Sequence, residues 1–162
     1  RWLPWIIIGL WAFFGFILYH QANATPTHLE VLKLVTEQAM KDAARLSKKP
    51  ILDFIPLVVF LQSNVLQNRY HGTGGKAVMA FHDGGVIYMD DRLDPTTDEV
   101  AYSMLIHEIV HVKQEKDKDY PQNCEDWFRL EKEAVMTQVQ YLREKGNILN
   151  GLVLQTLRFY KC

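Results

Sequence analysis

An α+β domain is predicted for residues 25–162 by three observations. Three long segments repeat apolar residues every three to four positions, a hairpin signal lies between the first and second, and the second is apolar on nearly all sides, so other elements must enclose it. The chain has 162 residues, 48% of them hydrophobic, which suits one globular core and leaves little for a second. Its 18 basic and 19 acidic side chains nearly cancel and its Lys and Arg residues are dispersed, so nucleic acid is not expected as a partner.

Residues 1–24 stand apart from that domain. Seventeen of them are apolar, and from Trp2 to Tyr19 the chain runs 18 residues without a charge, just long enough to span a bilayer. With Arg1 on the cytoplasmic side, everything from residue 25 would face the periplasm, a lumen or the exterior. Ala22-Asn23-Ala24 has the small-x-small form of a signal-peptidase site, so the segment reads as a signal peptide or as an uncleaved hydrophobic helix anchoring the chain to the membrane through residues 2–19. Cys124 and Cys162, the two cysteines, permit one disulfide without requiring it.

The elements follow in order. His28 to Lys48 places Leu29, Leu32, Val35, Ala39, Ala43 and Leu46 on one face, predicting an amphipathic helix stopped by Lys49-Pro50. Pro56 to Leu61 is short, apolar and β-branched, the composition of a buried strand. Ala77–Phe81 and Val86–Met89 flank His82-Asp83-Gly84-Gly85, which predicts two antiparallel strands and a turn. Asp94-Pro95-Thr96-Thr97-Asp98 is a turn-and-cap cluster from which a central helix runs to about Lys116. After a polar loop from Glu115 to Glu125, a third long helix covers about Asp126 to Lys145, Gly146-Asn147 closes it, and Ile148 to Phe159 forms a last one.

The central helix carries His107-Glu108-Ile109-Val110-His111, the pattern H-E-x-x-H. A spacing of four puts the two imidazoles one above the other, where they can share a metal ion, and Glu108 can reach a water on that metal and take its proton. Two imidazoles and a carboxylate among Leu105, Ile106, Ile109, Val110 and Val112 are costly to bury without such a partner. A catalytic zinc needs a third protein ligand, and no His follows His111. Leu130-Glu131-Lys132-Glu133 on the next helix offers two carboxylates about 200° apart. Glu131 shares a face with Trp127, Ala134, Val135, Gln138 and Leu142, so it is the expected ligand. Glu133, on the side of Thr137, Gln140 and Glu144, reads as a surface carboxylate and is the alternative ligand if the helix is rotated.

Through His107-Glu108-x-x-His111, nineteen intervening residues and Glu131 on a following helix, the chain resembles the gluzincin branch of the zincin metallopeptidases, in a compact single-domain form. The resemblance implies a zincin-like fold over most of residues 28–145: a small antiparallel sheet with a β-hairpin packed on an active-site helix. It also implies Zn2+ held by His107, His111 and Glu131, Glu108 as general base, and hydrolysis of a peptide or protein substrate lying along the strand Val86–Met89. Two departures stand out. Val135 occupies the place where gluzincins often carry an Asp that orients a ligating His, and no downstream His is present to stabilise an oxyanion. Tyr120, Tyr88, His82 and Tyr141 are the possible substitutes, each also readable as structural or surface; His71 and His82, in glycine-rich loops, read as imidazoles without a ligand role. The alternative of another class is a catalytically silent zincin-fold module that binds or braces components of the cell envelope. A third is a metal-free envelope domain with both histidines hydrogen-bonded in the core.

Overall fold

A computed structural model describes residues 27–70 and 78–157. The segment 1–24, with its expected apolar helix, together with His71 and Cys162, lies outside them. The chain divides into two compact units, Arg1–Val31 and Leu32–Cys162. Of the first, the described part is the opening turn of helix α1 (His28–Ser47), where the Thr27 backbone N–H donates to Glu30 Oε2 at 2.7 Å and Glu30 N–H donates back to Thr27 Oγ1 at 3.3 Å. This reciprocal pair satisfies donors that a helix start otherwise leaves open.

The second unit is a mixed α+β arrangement. Its described residues continue α1 and then form β1 (Leu57–Leu61), α2 (Ser63–Arg69), β2 (Ala80–Asp83), β3 (Val86–Asp90), α3 (Glu99–Lys116), α4 (Cys124–Glu144) and α5 (Asn150–Thr156). The sheet order is β1-β3-β2, with β2 antiparallel to β3 and β1 parallel to it. A wholly antiparallel sheet was expected; the sheet is mixed because β1 ends and β2 begins at the same end of it, so β2 runs opposite to β1, and β3, which reverses again at the hairpin and lies between them, meets β1 in the same direction. The helix α2 has no apolar periodicity to announce it and buries Leu66 alone.

The pleat sorts side chains between two clusters. Val58, Phe60, Ala80, Ile87 and Met89 face the main core with Met40, Leu105, Ile106, Ile109 and Leu142 from the helices. Val59, Leu61, Phe81, Val86 and Tyr88 face the other way and pack with Leu66 of α2. β2 extends two residues past the strand expected from its composition, so His82 and Asp83 are strand and the turn is Gly84-Gly85, both with positive φ, +57° and +78°. Two successive left-handed residues match the twist of a two-residue hairpin, and glycine adopts them without strain.

α3 is enclosed as its all-round apolar character demands: Ala101, Leu105, Ile106, Ile109, Val110 and Val112 are buried. Asp98 caps it, accepting from the Val100 and Ala101 backbone N–H groups at 2.6 and 3.1 Å. α4 packs against α3 and is capped by Asn123, which accepts from Asp126 N–H at 2.9 Å. Its first residue, Cys124, is disulfide-bonded. α5 begins at Asn150, two residues after the apolar stretch does, and Ile148 before it is 89% exposed.

Asp90 fixes the end of the central strand. Fully buried, it accepts from Arg92 Nε at 2.7 Å, Arg92 Nη2 at 2.8 Å, the Arg92 backbone at 3.0 Å and Ser63 Oγ at 2.5 Å. The Arg92 guanidinium, helped by Ser63 and opposed by burial, holds this carboxyl well below the usual carboxylate range. A depressed folded value stabilises the fold above the ordinary carboxylate pKa, and that contribution is lost as pH falls toward the folded value. Asp90→Asn is expected to cost about 1–2 kcal/mol in urea unfolding at neutral pH, and the gap from wild type should narrow as unfolding is repeated toward pH 3.

Candidate metal centre

Two turns of α3 and one of α4 converge on a single point. The Nε2 atoms of His107 and His111 are 3.0 Å apart, His111 Nε2 is 3.2 Å from Glu131 Oε2, and His107 Nε2 is 3.6 Å from Glu131 Oε1. Four-residue spacing stacks the imidazoles on one helix face, and the packing of α4 on α3 brings Glu131 across to them. A tetrahedral ion with bonds of about 2.0–2.1 Å places its donors about 3.3 Å from one another, and the three separations bracket that value. Among the described residues this is the cluster of His, Cys, Asp and Glu side chains that could hold a metal ion. Neutral imidazole nitrogens and a carboxylate are the donor set that suits zinc.

Glu133, the alternative ligand, is turned elsewhere. Its carboxylate lies 2.6 Å from Lys49 Nζ and accepts from Gln114 Nε2 at 3.0 Å, so it is a half-buried, paired group where a free surface carboxylate was expected. The same pair explains how His111 is oriented with Val135 standing where an Asp would otherwise orient it. Gln114 Nε2 donates to both Glu133 Oε2 and the Leu130 carbonyl, at 3.0 and 3.1 Å, which leaves Gln114 Oε1 to accept from His111 Nδ1–H at 2.8 Å. With its proton fixed on Nδ1, His111 presents the Nε2 lone pair to the centre. Gln114 gave no signal in the sequence, since amides on helices are ordinarily solvated; its position three residues after His111 on the same face is the clue. If the cluster holds a metal ion, Gln114→Ala is expected to weaken that binding about 10- to 100-fold, measured by chelator competition, with the circular-dichroism spectrum unchanged.

His107 is held differently. Its Nδ1 is buried with no hydrogen bond of normal geometry among the described residues, and the polar group beside it is the Gln138 amide, which donates to Ser103 Oγ at 3.1 Å. Burial, and then the neighbouring His111, push His107 below the usual imidazole value. For His111 burial acts in the same direction but is outweighed by Glu131 and Glu108, so its pKa is raised. Burial would raise Glu108, yet His82, His107 and His111 together hold it below the usual carboxylate value. Glu108 is thus an ionised carboxylate among imidazoles, 7% exposed.

His82, expected in a loop, stands on β2 inside the site. Its ring stacks on His111 with centroids 5.3 Å apart and planes 16° from parallel. Its Nδ1 is 3.5 Å from Glu108 Oε2 and its Nε2 is 3.8 Å from Glu115 Oε2. The three tyrosines weighed with it lie elsewhere: Tyr88 accepts from Arg69 Nη2 at 2.8 Å on the far face of the sheet, Tyr141 packs on Tyr102, and Tyr120 is exposed. Tyr70 was not singled out by sequence. It packs on Phe81 at 5.6 Å, and burial, with the nearby Glu131 and Glu108 carboxylates, raises its pKa and keeps its hydroxyl un-ionised.

The strand expected to receive a peptide is the wrong one, because β3 is paired on both sides. Among the described residues the edge strands are β1 and β2, and of these β2 is the one packed on α3. Asp90 N–H donates to Met79 O at 2.9 Å, and the register pairs Phe81 with Tyr88 and Asp83 with Val86. Alternation in an antiparallel pair then turns the backbone groups of Ala80 and His82 away from β3, toward the open edge.

No family model, curated protein or solved structure matches the chain. The candidate metal centre therefore rests on its own geometry.

Proposed function

We propose that the chain is a zinc-dependent peptidase with a compact zincin-like fold, in which His107, His111 and Glu131 hold the metal and Glu108 is the general base. The observation that carries this reading is the convergence of three zinc-type donors at 3.0–3.6 Å beside the buried Glu108 carboxylate, which stands on the helix of the two histidines. A structural zinc is usually closed by four protein ligands, whereas three protein donors leave a position for catalysis. Zinc bound there would polarise a carbonyl oxygen and lower the pKa of water to about 7.

The rest is done by the chain. Glu108 accepts a proton on its carboxylate and delivers it to the departing amine, a role suited to an ionised group beside imidazoles. Gln114 keeps the His111 proton on Nδ1 throughout. The outward backbone groups of Ala80 and His82 can pair with an extended segment of substrate as an added strand. The order of N-terminal helix, hairpin-bearing sheet, motif helix and ligand helix agrees with the zincin-like proposal; the parallel β1 departs from the antiparallel sheet assumed for it. Secretion or anchoring through residues 2–19 remains part of the proposal, and among the described residues no helix is long and apolar enough to cross a membrane.

The test is zinc content by elemental mass spectrometry on protein purified without added metal, together with hydrolysis of fluorescein-labelled casein. About one zinc per chain and chelator-sensitive cleavage support the proposal. One zinc without cleavage would favour a module that keeps its metal for stability, and no zinc even after metal addition would remove the peptidase reading.

A further inference from the structure

We infer that His82 is a positioning residue for Glu108, holding the general base from the open edge strand so that the strand which receives a peptide also sets the base. The inference deepens the peptidase proposal and rests on it for its functional meaning.

Three observations carry it. First, His82 lies between two carboxylates, with Nδ1 3.5 Å from Glu108 Oε2 and Nε2 3.8 Å from Glu115 Oε2. Glu115 Oε2 is buried and makes no hydrogen bond among the described residues, so His82 is the polar group it faces. Second, the imidazole cannot swing freely, because its ring is stacked on His111 at 5.3 Å and 16°. A side chain clamped on one face by a ring and at both edges by carboxylates has lost most of its rotamer freedom, which is what a brace requires. Third, alternation along β2 sends the His82 side chain toward α3 while its N–H and carbonyl face the open edge. No other described residue on the sheet reaches both the edge and the base.

The functional meaning follows from that double attachment. An extended segment hydrogen-bonded to Ala80 and His82 would immobilise β2, and with it the imidazole that fixes the Glu108 carboxylate. Displacing a catalytic group by about 1 Å can cost a hundredfold in rate, so a base fixed from the strand with which the substrate pairs stays in register with a segment laid along β2.

A thermal-unfolding double-mutant cycle tests the brace without needing catalysis. Wild type, His82→Ala, Glu108→Gln and the double variant are melted in the zinc-loaded state, with zinc measured on the same samples. If His82 holds Glu108, His82→Ala should lower the midpoint by about 2–4 °C more in the wild-type background than in the Glu108→Gln background. His82→Gln, which retains an N–H donor, should recover part of the difference. Equal losses in both backgrounds would mean a merely structural imidazole and would overturn the inference. On fluorescein-labelled casein, His82→Ala should lower kcat about tenfold or more with KM within about twofold, and His82→Gln should restore part of kcat. A change confined to KM would also overturn it. The two failures are separable: wild type without zinc or cleavage overturns the peptidase proposal, whereas additive melting with zinc and cleavage intact overturns the brace alone.

Discussion

Replacing Glu108 with Gln is expected to cut peptide hydrolysis by about a hundred- to ten-thousand-fold while leaving one zinc per chain. Glutamine keeps the shape of the side chain and its packing, but its amide cannot take a proton at neutral pH. In the wild type the carboxylate is 7% exposed and ionised, held so by three imidazoles against the opposing effect of burial. The substitution therefore removes charge and basicity at the place where both are concentrated, and it does so without emptying the ligand set of His107, His111 and Glu131. Cleavage of fluorescein-labelled casein, with zinc measured in parallel, separates the outcomes. Turnover that survived the substitution would show that another group accepts the proton.

Removing the metal should have the second largest effect, and it is read without any substrate. A ligand bound to the folded state at a thousand times its dissociation constant adds about 4 kcal/mol, which for a chain of this length corresponds to about 8–16 °C in melting temperature. Chelation of the zinc-loaded protein should lower the midpoint by that amount, and added zinc should restore it. His111→Ala should melt near the metal-free wild type and be indifferent to chelator, since it removes the donor that touches both His107 Nε2 and Glu131 Oε2. A wild-type midpoint unmoved by chelation would leave the three donors as a hydrogen-bonded cluster without a metal role.

How much of this was legible in the sequence depends on the range of the signal. Helical periodicity is local, and the three long helices lie where Leu32 to Leu46, Ala101 to Val112 and Leu130 to Leu142 indicate. The face argument on α4 is also local, and the carboxylate beside the imidazoles is Glu131. The direction of β1 could not be read, because it depends on which hairpin strand β1 lies beside, and it lies beside β3. The choice of edge strand failed for the same reason, since strand order is a property of the sheet and not of any strand in it. His82 was assigned to a loop because Asp83-Gly84-Gly85 resembles one, while the turn takes only the two glycines. Gln114 and Glu133 are a third kind of case: their role is a contact across helices, visible once Lys49 and His111 are on either side.

The Gly84-Gly85 turn measures out the site. Because a strand alternates its faces, the number of residues between Ile87 and His82 decides which side chain of β2 looks at α3. One codon inserted or deleted there would bring Phe81 or Asp83 to the place of His82, put an aromatic ring or an anion against His111, and turn the imidazole toward Leu66 and Tyr88. The ligands on α3 and α4 would be untouched. Length at this hairpin is therefore a constraint as strict as the identity of any of the proposed metal ligands, and a library that varies the turn in length would break the site while one that varies surface positions in kind would not.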